Sequence, residues 1–186
     1  GDRAIAYFLT RELHRYGASI VMSTSDRRLW QDTAWLRDHG VALVPWGWNI
    51  EQPQNAQGLV GRVRIARSRF WRRLFPVVRR LVQTGGSRHC LPALADRSFL
   101  RALRDCDLVI STGGHHVTTL LDKDAVSAQL YDMGLVILAG KPLVLWSQSI
   151  GPLEFADVRN ARYVQNVLER ASQIFIRDQQ SEAILK

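Results

Sequence analysis

The sequence is poor in cysteine and in long apolar runs, and both absences exclude classes of protein. Its two cysteines, Cys90 and Cys106, are too few and too far apart in 186 residues for a disulfide framework or a zinc site. We expect two reduced, partly buried thiols, as in a cytosolic protein. No stretch approaches the about 18 continuous apolar residues that span a bilayer. The amino terminus also lacks the pattern of a signal peptide, which favours a cytoplasmic location.

Nucleotide-binding fingerprints are absent as well. The sequence contains neither a Walker phosphate loop nor a G-x-G-x-x-G motif, which disfavours a nucleotide hydrolase or a dinucleotide-dependent dehydrogenase. No set of His, Cys and carboxylate residues has the spacing of metal ligands. We therefore expect no metal and no bound cofactor.

Acidic residues are missing from one long segment. Residues 52–95 contain nine of the 25 lysines and arginines and no Asp or Glu. The other 16 basic residues balance the 17 acidic ones, so the net charge of +8 comes from this segment. A local basic segment predicts contact with an anionic partner.

Apolar residues recur at helical spacing within this segment and predict a basic amphipathic helical insertion over about 58–92. They are Leu59, Val63, Ala66, Phe70 and Leu74. We expect the helix to kink or end at Pro76. Such a helix can lie on an anionic membrane surface, at the inner face of the membrane. The candidate contacts are Arg69, Arg72, Arg73, Arg79 and Arg80.

Two other interpretations of the basic segment stay open. A solvated helix on the protein surface would contain the same residues, and so would a nucleic-acid patch. Single-stranded nucleic acid favours aromatic side chains exposed among the basic ones. Here Phe70, Trp71 and Phe75 lie on the predicted apolar face, so nucleic acid is an unlikely partner.

Elsewhere, apolar runs alternate with helical patterns. Helices are predicted over 3–16, 27–40, 124–138, 157–172 and 179–186, and strands over 18–25, 41–46, 107–114, 141–152 and 173–178. The alternation predicts an α/β fold with one Rossmann-like domain over residues 1–186, built on a doubly wound, mostly parallel sheet. The predicted apolar face of the first helix contains Ile5, Phe8, Leu9 and Leu13. We expect a strand before that helix, and the 186 residues do not include it.

Ligands of such sheets bind outside the carboxyl ends of the strands. Those ends contain residues 112–116, residues 148–152 and Arg177-Asp178, and Gly1-Asp2 begins the first helix. These residues are the candidate substrate site.

The glycines and histidines of the first segment suggest binding and catalysis. Gly113 and Gly114 allow positive φ and a close approach of backbone N–H groups to an anion at the start of the next helix, or form only a tight turn. His115 and His116 are candidates for the general acid or base, or for hydrogen bonds to a sugar. We expect only one of the two to take part and the other to face solvent.

The other two segments suggest recognition of sugar hydroxyls and of an anion. Gln148 and Ser149 offer an amide and a hydroxyl to a sugar, with helix capping as the alternative. Gly151-Pro152 would fix the direction in which the chain leaves the loop after the strand. The Arg177 guanidinium suits a carboxylate or phosphate, or pairs with Asp178 or Glu182. Asp178 and Asp2 are interpreted mainly as helix caps, although Gly1 and Asp2 also remain substrate-binding candidates.

Four pieces of sequence, in this order, resemble the polysaccharide pyruvyl transferase family. They are "GDRAI", "DLVISTGGHHVTTLLD", "GKPLVLWSQSIGP" and "IFIRDQQSEAIL". Residues 47–95 carry no motif of the family. His115 and His116 stand where the family often has further glycine or small apolar residues.

The resemblance implies the amino-terminal half of a two-domain, glycosyltransferase-B-like enzyme. Such enzymes transfer the enolpyruvyl carbons of phosphoenolpyruvate to two hydroxyls of a sugar, as a cyclic ketal, in precursors of cell-surface polysaccharide or exopolysaccharide. The arginines and histidine that bind phosphoenolpyruvate are expected largely in the second domain, outside this chain. We therefore expect the chain to be inactive alone.

The acceptor implied by the resemblance is a saccharide, including one linked to a lipid diphosphate. Two alternatives remain. One is a sugar-nucleotide glycosyltransferase of similar two-domain fold. The other is a non-enzymatic α/β module that docks to a membrane through residues 59–82.

Overall fold

The computed structural model describes residues 2–24, 30, 33–47, 73–86, 88–120 and 126–186, with the backbone alone at residues 2, 3, 113 and 115. The strands are β1 (Val21–Thr24), β2 (Ala42–Pro45), β3 (Val109–Val117), β4 (Leu143–Ile150) and β5 (Gln173–Ile176). The helices are α1 (Asp2–Arg15), α2 (Ala34–Asp38), α3 (residues 73–84), α4 (Leu91–Leu94), α5 (Arg97–Asp105), α6 (Ala128–Leu138), α7 (Val158–Glu169) and α8 (Gln179–Leu185), and a 3₁₀ turn spans Arg88–Cys90.

All described strand pairs are parallel. β1 pairs with β2, and β3, β4 and β5 form a second sheet in that order. α6 lies between β3 and β4 along the chain, and α7 between β4 and β5, as parallel neighbours require. The predicted α/β, Rossmann-like class is confirmed.

The core is centred on α6, which is buried on most of its faces. Burial of its backbone and side chains requires that their polar atoms find partners. The hydroxyl of Tyr131 donates to the carbonyl of Leu94 at 2.6 Å, and that of Tyr163 donates from α7 to the carbonyl of Leu130 at 2.6 Å. These two tyrosines therefore tie α6 to its neighbours on two sides.

The first two helices differ in detail from the prediction. α1 ends before Gly17 as predicted, but Asp2 is already its first helical residue and does not precede the helix as a cap. Phe8, on the predicted apolar face, is 49% exposed. The helix predicted over 27–40 is also wrong as a single element, because Thr33 is non-helical and is the N-cap residue of α2.

We predicted that the basic helix kinks or ends at Pro76. The helix does not end there. α3 continues from residue 73 through Pro76 to residue 84. Beyond Pro76, Val78 and Val82 are buried in the core and stabilise the helix. The preceding part of the predicted insertion lies outside the described residues.

The two cysteines differ in exposure. Both are free thiols; Cys106 is partly buried, as predicted, whereas Cys90 is exposed. Burial raises the pKa of the Cys106 thiol above its ordinary value.

Candidate functional site

The carboxyl ends of β3, β4 and β5 lie side by side. The pairing register places Gly114 beside Gln148 and Gln148 beside Ile176. Arg177 follows Ile176 directly, and its backbone N–H donates to the carbonyl of Gln148 at 3.3 Å. The structure therefore brings three of the predicted segments to one edge of the sheet.

The glycine-histidine segment is part of a strand, so the predicted end of the strand at residue 114 is wrong, and Gly113 and Gly114 do not form a tight turn. β3 continues to Val117, with an irregularity of register between Gly114 and Val117. Gly114 has a φ of 112°, and a Cβ there would lie 2.8 Å from Nε2 of His116. The imidazole of His116 therefore lies over the α-carbon of Gly114, a position that only glycine leaves open.

His116 is held at its backbone by the next helix. Its carbonyl accepts a hydrogen bond of 2.9 Å from the hydroxyl of Ser127, the N-cap residue of α6. The same hydroxyl accepts from the backbone N–H of Leu130. The side chain of His115 lies outside the description, so the choice between the two histidines stays a prediction.

Ser147 changes the direction of the side chains in β4. It has a φ of 55°, and the pairing with β5 contains one extra residue between Trp146 and Gln148. In a regular strand, Leu145 and Ile150 would face opposite sides, yet both belong to the same core. The inserted residue therefore turns Gln148 towards the face of Leu145 and turns Ser149 to the other face.

The backbone of Ser147 predicts an unusual response to substitution. Val at this position is expected to lower the free energy of unfolding by about 1–3 kcal/mol, because a β-branched residue is strained at positive φ. Gly is expected to have little effect or to stabilise. Urea unfolding measures both. Thr112→Val, in the neighbouring strand, is the control, and an equal loss for Ser147→Val and Thr112→Val would contradict the strain.

Gln148 is fully buried. Its Nε2 donates to the carbonyl of Ser111 at 3.1 Å, which sets the orientation of the amide because the carbonyl only accepts. Its Oε1 has no hydrogen-bond partner within the described part of the chain. With 0% exposure, the side chain does not contact a ligand in this conformation. The predicted contact of Gln148 with a sugar therefore requires the carboxyl ends of the strands to move.

Four polar residues at the ends of β4 and β5 and in the first turn of α8 form one hydrogen-bond network. Arg177 Nε donates to the hydroxyl of Ser149 at 2.6 Å, and this hydroxyl donates to Oδ2 of Asp178 at 2.6 Å. Oδ1 of Asp178 accepts from the backbone N–H of Ser181 at 2.8 Å and from its hydroxyl at 2.6 Å. The Ser181 hydroxyl in turn accepts from the backbone N–H of Ile150 at 2.7 Å.

The network decides between several predicted roles. Asp178 is the N-cap residue of α8, as predicted. Ser149 caps no helix itself but supports the capping carboxylate. Arg177 contacts Ser149, and Glu182 pairs with Lys186 at 2.7 Å. Sequence reasoning missed Ser181, because the residue three positions after the N-cap that signals a capping box is Glu or Gln.

Two carboxylates of the described chain make folding sensitive to acid. The hydroxyl of Ser149, with Ser181, lowers the pKa of Asp178 to about 2. Hydrogen bonds from Arg159, with help from Arg79, lower the pKa of Asp157 to about 2. Hydrogen bonds to the ionised form cause both shifts.

The sign of the pH dependence follows from these lowered values. Because the unfolded carboxylates bind protons first, the stabilisation is complete above about pH 4 and is lost as the pH falls to about 2. Urea midpoints across this range are expected to fall, and Asp178→Asn is expected to remove part of the slope. A slope unchanged by Asp178→Asn would contradict the assignment.

Gly151 and Pro152 tie the end of β4 to β3. The N–H of Gly151 donates to the carbonyl of Val117 at 2.8 Å, and the N–H of Thr119 donates to the carbonyl of Pro152 at 2.9 Å. Gly151 has a φ of 96°, and a Cβ there would meet the side chain of Ile184 in α8. The Gly151–Pro152 peptide bond is cis. The two hydrogen bonds fix the path of the chain where it leaves β4.

The arginines proposed for an anionic surface fall into different environments. Arg73 and Arg80 are exposed on α3. Arg79 instead turns inwards, with its side chain 12% exposed, and pairs with Asp157 at 3.1 Å and with Oδ1 of Asn160 at 2.6 Å. Arg79 therefore ties α3 to the start of α7. Arg69 and Arg72, like Gly1, lie outside the described residues.

Metal-binding groups and membrane-spanning helices are both absent from the described residues. Within the described ranges, no group of three or more His, Cys, Asp and Glu side chains is arranged to hold a metal ion. Nor does that part of the chain contain a helix long and apolar enough to cross a bilayer.

Comparison with known families decides the class of protein. A model of the polysaccharide pyruvyl transferase family matches residues 1–186, which is the whole chain. The chain belongs to the polysaccharide pyruvyl transferase family. At the level of the family it is a transferase, and its acceptor is a saccharide. Comparisons with curated proteins and with solved structures found no match.

Proposed function

We propose that this pyruvyl transferase family member transfers pyruvate from phosphoenolpyruvate to two hydroxyls of a sugar, as a ketal, in a precursor of cell-surface polysaccharide or exopolysaccharide. The observation that carries the proposal is the family match over all 186 residues. The parallel strand ends at Gly114, Gln148 and Ile176 support it, since ligands of such sheets bind at this edge.

The reaction requires four kinds of assistance. One sugar hydroxyl loses its proton and forms a bond to the substituted carbon of phosphoenolpyruvate while the methylene carbon takes up a proton. The bond from that carbon to the phosphate oxygen then breaks, inorganic phosphate leaves, and the second hydroxyl adds and loses its proton. An acid, a base, stabilisation of the cationic carbon and cations for the phosphate are therefore needed.

This chain offers candidates for part of that chemistry. The imidazole of His116, or that of His115, is proposed as the acid or base because histidine exchanges protons near neutral pH. Arg177 is proposed to bind a carboxylate or phosphate. Its Nη1 and Nη2 have no hydrogen-bond partner among the residues that the structure describes, and its side chain is exposed.

Membrane contact is proposed as a further property of the same enzyme. Arg73 and Arg80 lie four and three residues to either side of the 44% exposed Val77, on one face of α3. Exposed cations beside an apolar side chain favour an anionic lipid surface, where a lipid-linked acceptor would be held. Salt-dependent binding to anionic vesicles is the expected property.

The test uses the protein at its full natural length. It is incubated with phosphoenolpyruvate and lipid-linked oligosaccharides extracted from membranes, and phosphate release is measured together with the mass of the product. We expect phosphate release and a product heavier by one pyruvate ketal. His116→Ala and His115→Ala are compared, and we expect one of them to lose activity.

Two results would count against this proposal. Turnover of a sugar nucleotide without phosphate release from phosphoenolpyruvate would favour the glycosyltransferase. Salt-dependent vesicle binding without either reaction would favour the non-enzymatic module, and in that case neither His116→Ala nor His115→Ala changes the binding.

A further inference from the structure

The hydroxyl of Ser149 lies between a cation and an anion. It accepts from Nε of Arg177 at 2.6 Å and donates to Oδ2 of Asp178 at 2.6 Å, and the residue is 5% exposed. We call these three residues the serine bridge.

The proton of the bridge has only one possible arrangement. A guanidinium has no acceptor, and an ionised carboxylate has no donor. The single hydroxyl proton must therefore point to Asp178, and an oxygen lone pair must face Arg177. Because each hydrogen bond polarises the next, the carboxylate strengthens the hold of Ser149 on the guanidinium.

Asp178 is itself held in place. Its other oxygen accepts two hydrogen bonds from Ser181, whose hydroxyl accepts from the backbone of Ile150. The anchor of the bridge thus involves β4 and the first turn of α8. An arginine held at Nε keeps its planar group in one orientation, with the four N–H bonds of Nη1 and Nη2 left for a ligand.

We propose that Ser149 is a positioning residue, which orients the Arg177 guanidinium so that its Nη edge receives the carboxylate or phosphate of the substrate. This inference rests on the proposed function, because that function supplies the anion. It also changes the predicted role of Ser149. The only donor of the hydroxyl is used inside the protein and the residue is buried, so Ser149 acts through Arg177 and does not donate to the sugar.

The first experiment needs no substrate. Hydrogen exchange at Nε of Arg177, followed by NMR of the full-length protein, reports directly on the bridge. We expect slow exchange in the wild type and in Ser172→Ala, a control that removes an exposed serine beside the amino end of β5. In Ser149→Ala we expect exchange at least about 10-fold faster. Equal exchange in Ser149→Ala and the wild type would overturn the bridge.

The second experiment separates positioning from a purely structural role. Ser149→Ala is expected to raise the KM for phosphoenolpyruvate about 10-fold with a smaller change in kcat, and Ser149→Thr to restore most of it. In an Arg177→Lys background, Ser149→Ala is expected to change KM less than about 2-fold, because the oriented fork is already gone. A KM unchanged by Ser149→Ala, or an equal rise in both backgrounds, would overturn the positioning role.

The two proposals fail in different ways. If the wild type does not consume phosphoenolpyruvate, pyruvyl transfer is refuted and so is the substrate given to Arg177, while the exchange at Nε still decides whether the bridge exists. If the wild type is active and Ser149→Ala keeps the wild-type KM, pyruvyl transfer is supported and the positioning role of Ser149 is refuted. Urea unfolding of each variant shows that the compared proteins are folded.

Discussion

Replacing Gly134 by alanine is expected to destabilise the protein by about 1–3 kcal/mol, although alanine usually stabilises a helix by about 1 kcal/mol over glycine. Gly134 lies in the buried helix α6, and a Cβ there would meet the hydroxyl of Tyr163. That hydroxyl is held by its 2.6 Å hydrogen bond to the carbonyl of Leu130, so it has no free direction in which to move. Burial also raises the pKa of Tyr163, which keeps the hydroxyl protonated as a donor.

A double-mutant cycle tests this cause. Tyr163→Phe removes the oxygen and is expected to cost about 1–2 kcal/mol, because the carbonyl of Leu130 loses its donor. In the Tyr163→Phe background, Gly134→Ala is expected to cost clearly less than in the wild type. Urea unfolding supplies the four free energies. Additive losses would show that the Tyr163 hydroxyl is not what excludes a side chain at Gly134.

Substitution of two neighbouring arginines of α3 is expected to change the stability of the protein by different amounts. Arg79→Ala is expected to lower the free energy of unfolding by about 1–3 kcal/mol, because it removes the mostly buried cation that joins Arg159 at Asp157 and the donor to Oδ1 of Asn160. It also removes the contact of the guanidinium with the ring of Phe75, 5.8 Å away. Arg80→Ala is the matched control, since Arg80 is exposed, and its loss is expected to stay within about 0.5 kcal/mol.

The same substitutions are expected to affect vesicle binding in the reverse order, with Arg80→Ala having the larger effect and Arg79→Ala the smaller. Arg80→Ala and Arg73→Ala are each expected to weaken binding to anionic vesicles about fivefold, in proportion to about 1 kcal/mol per basic residue near the surface. Arg79→Ala is expected to leave binding unchanged at temperatures where it is folded. Sedimentation with phosphatidylserine vesicles at low and high salt measures this. Equal binding by all three variants and the wild type would contradict a membrane role of this face.

Local patterns predicted most of the elements. β4 and β5 are apolar runs that end in polar residues, and Asp178 is a cap whose partner Ser181 is only three residues away. The prediction failed where distant backbone decided the outcome. Two adjacent glycines usually mark a turn, and the strand was predicted to end at Gly114, but pairing with β4 extends it to Val117. α5 was also missed, although Asp96 with Phe99 and Leu103 forms the pattern of a capped amphipathic helix.

The candidate site was predicted in position more than in function. The rule that ligands bind at the ends of parallel strands located Gln148, Ser149 and Arg177. Their contacts could not be predicted, because the positive φ of Ser147 has no signal in the sequence and reverses which side chains face the core. Arg79 was misjudged for a similar reason, since its partner Asp157 is 78 residues away along the chain.

Transfer of radiolabel from phosphoenolpyruvate labelled in its carbon skeleton tests the account most directly. The full-length wild type and Arg101→Ala, which changes an exposed arginine of α5, are expected to move label to the lipid-linked acceptor at equal rates. Arg177→Ala is expected to lose about 100-fold in transfer at low substrate, because its anion contact at the strand ends is gone. Wild-type transfer by Arg177→Ala would contradict the placement of the substrate at this edge, and no transfer by the wild type would contradict pyruvyl transfer itself.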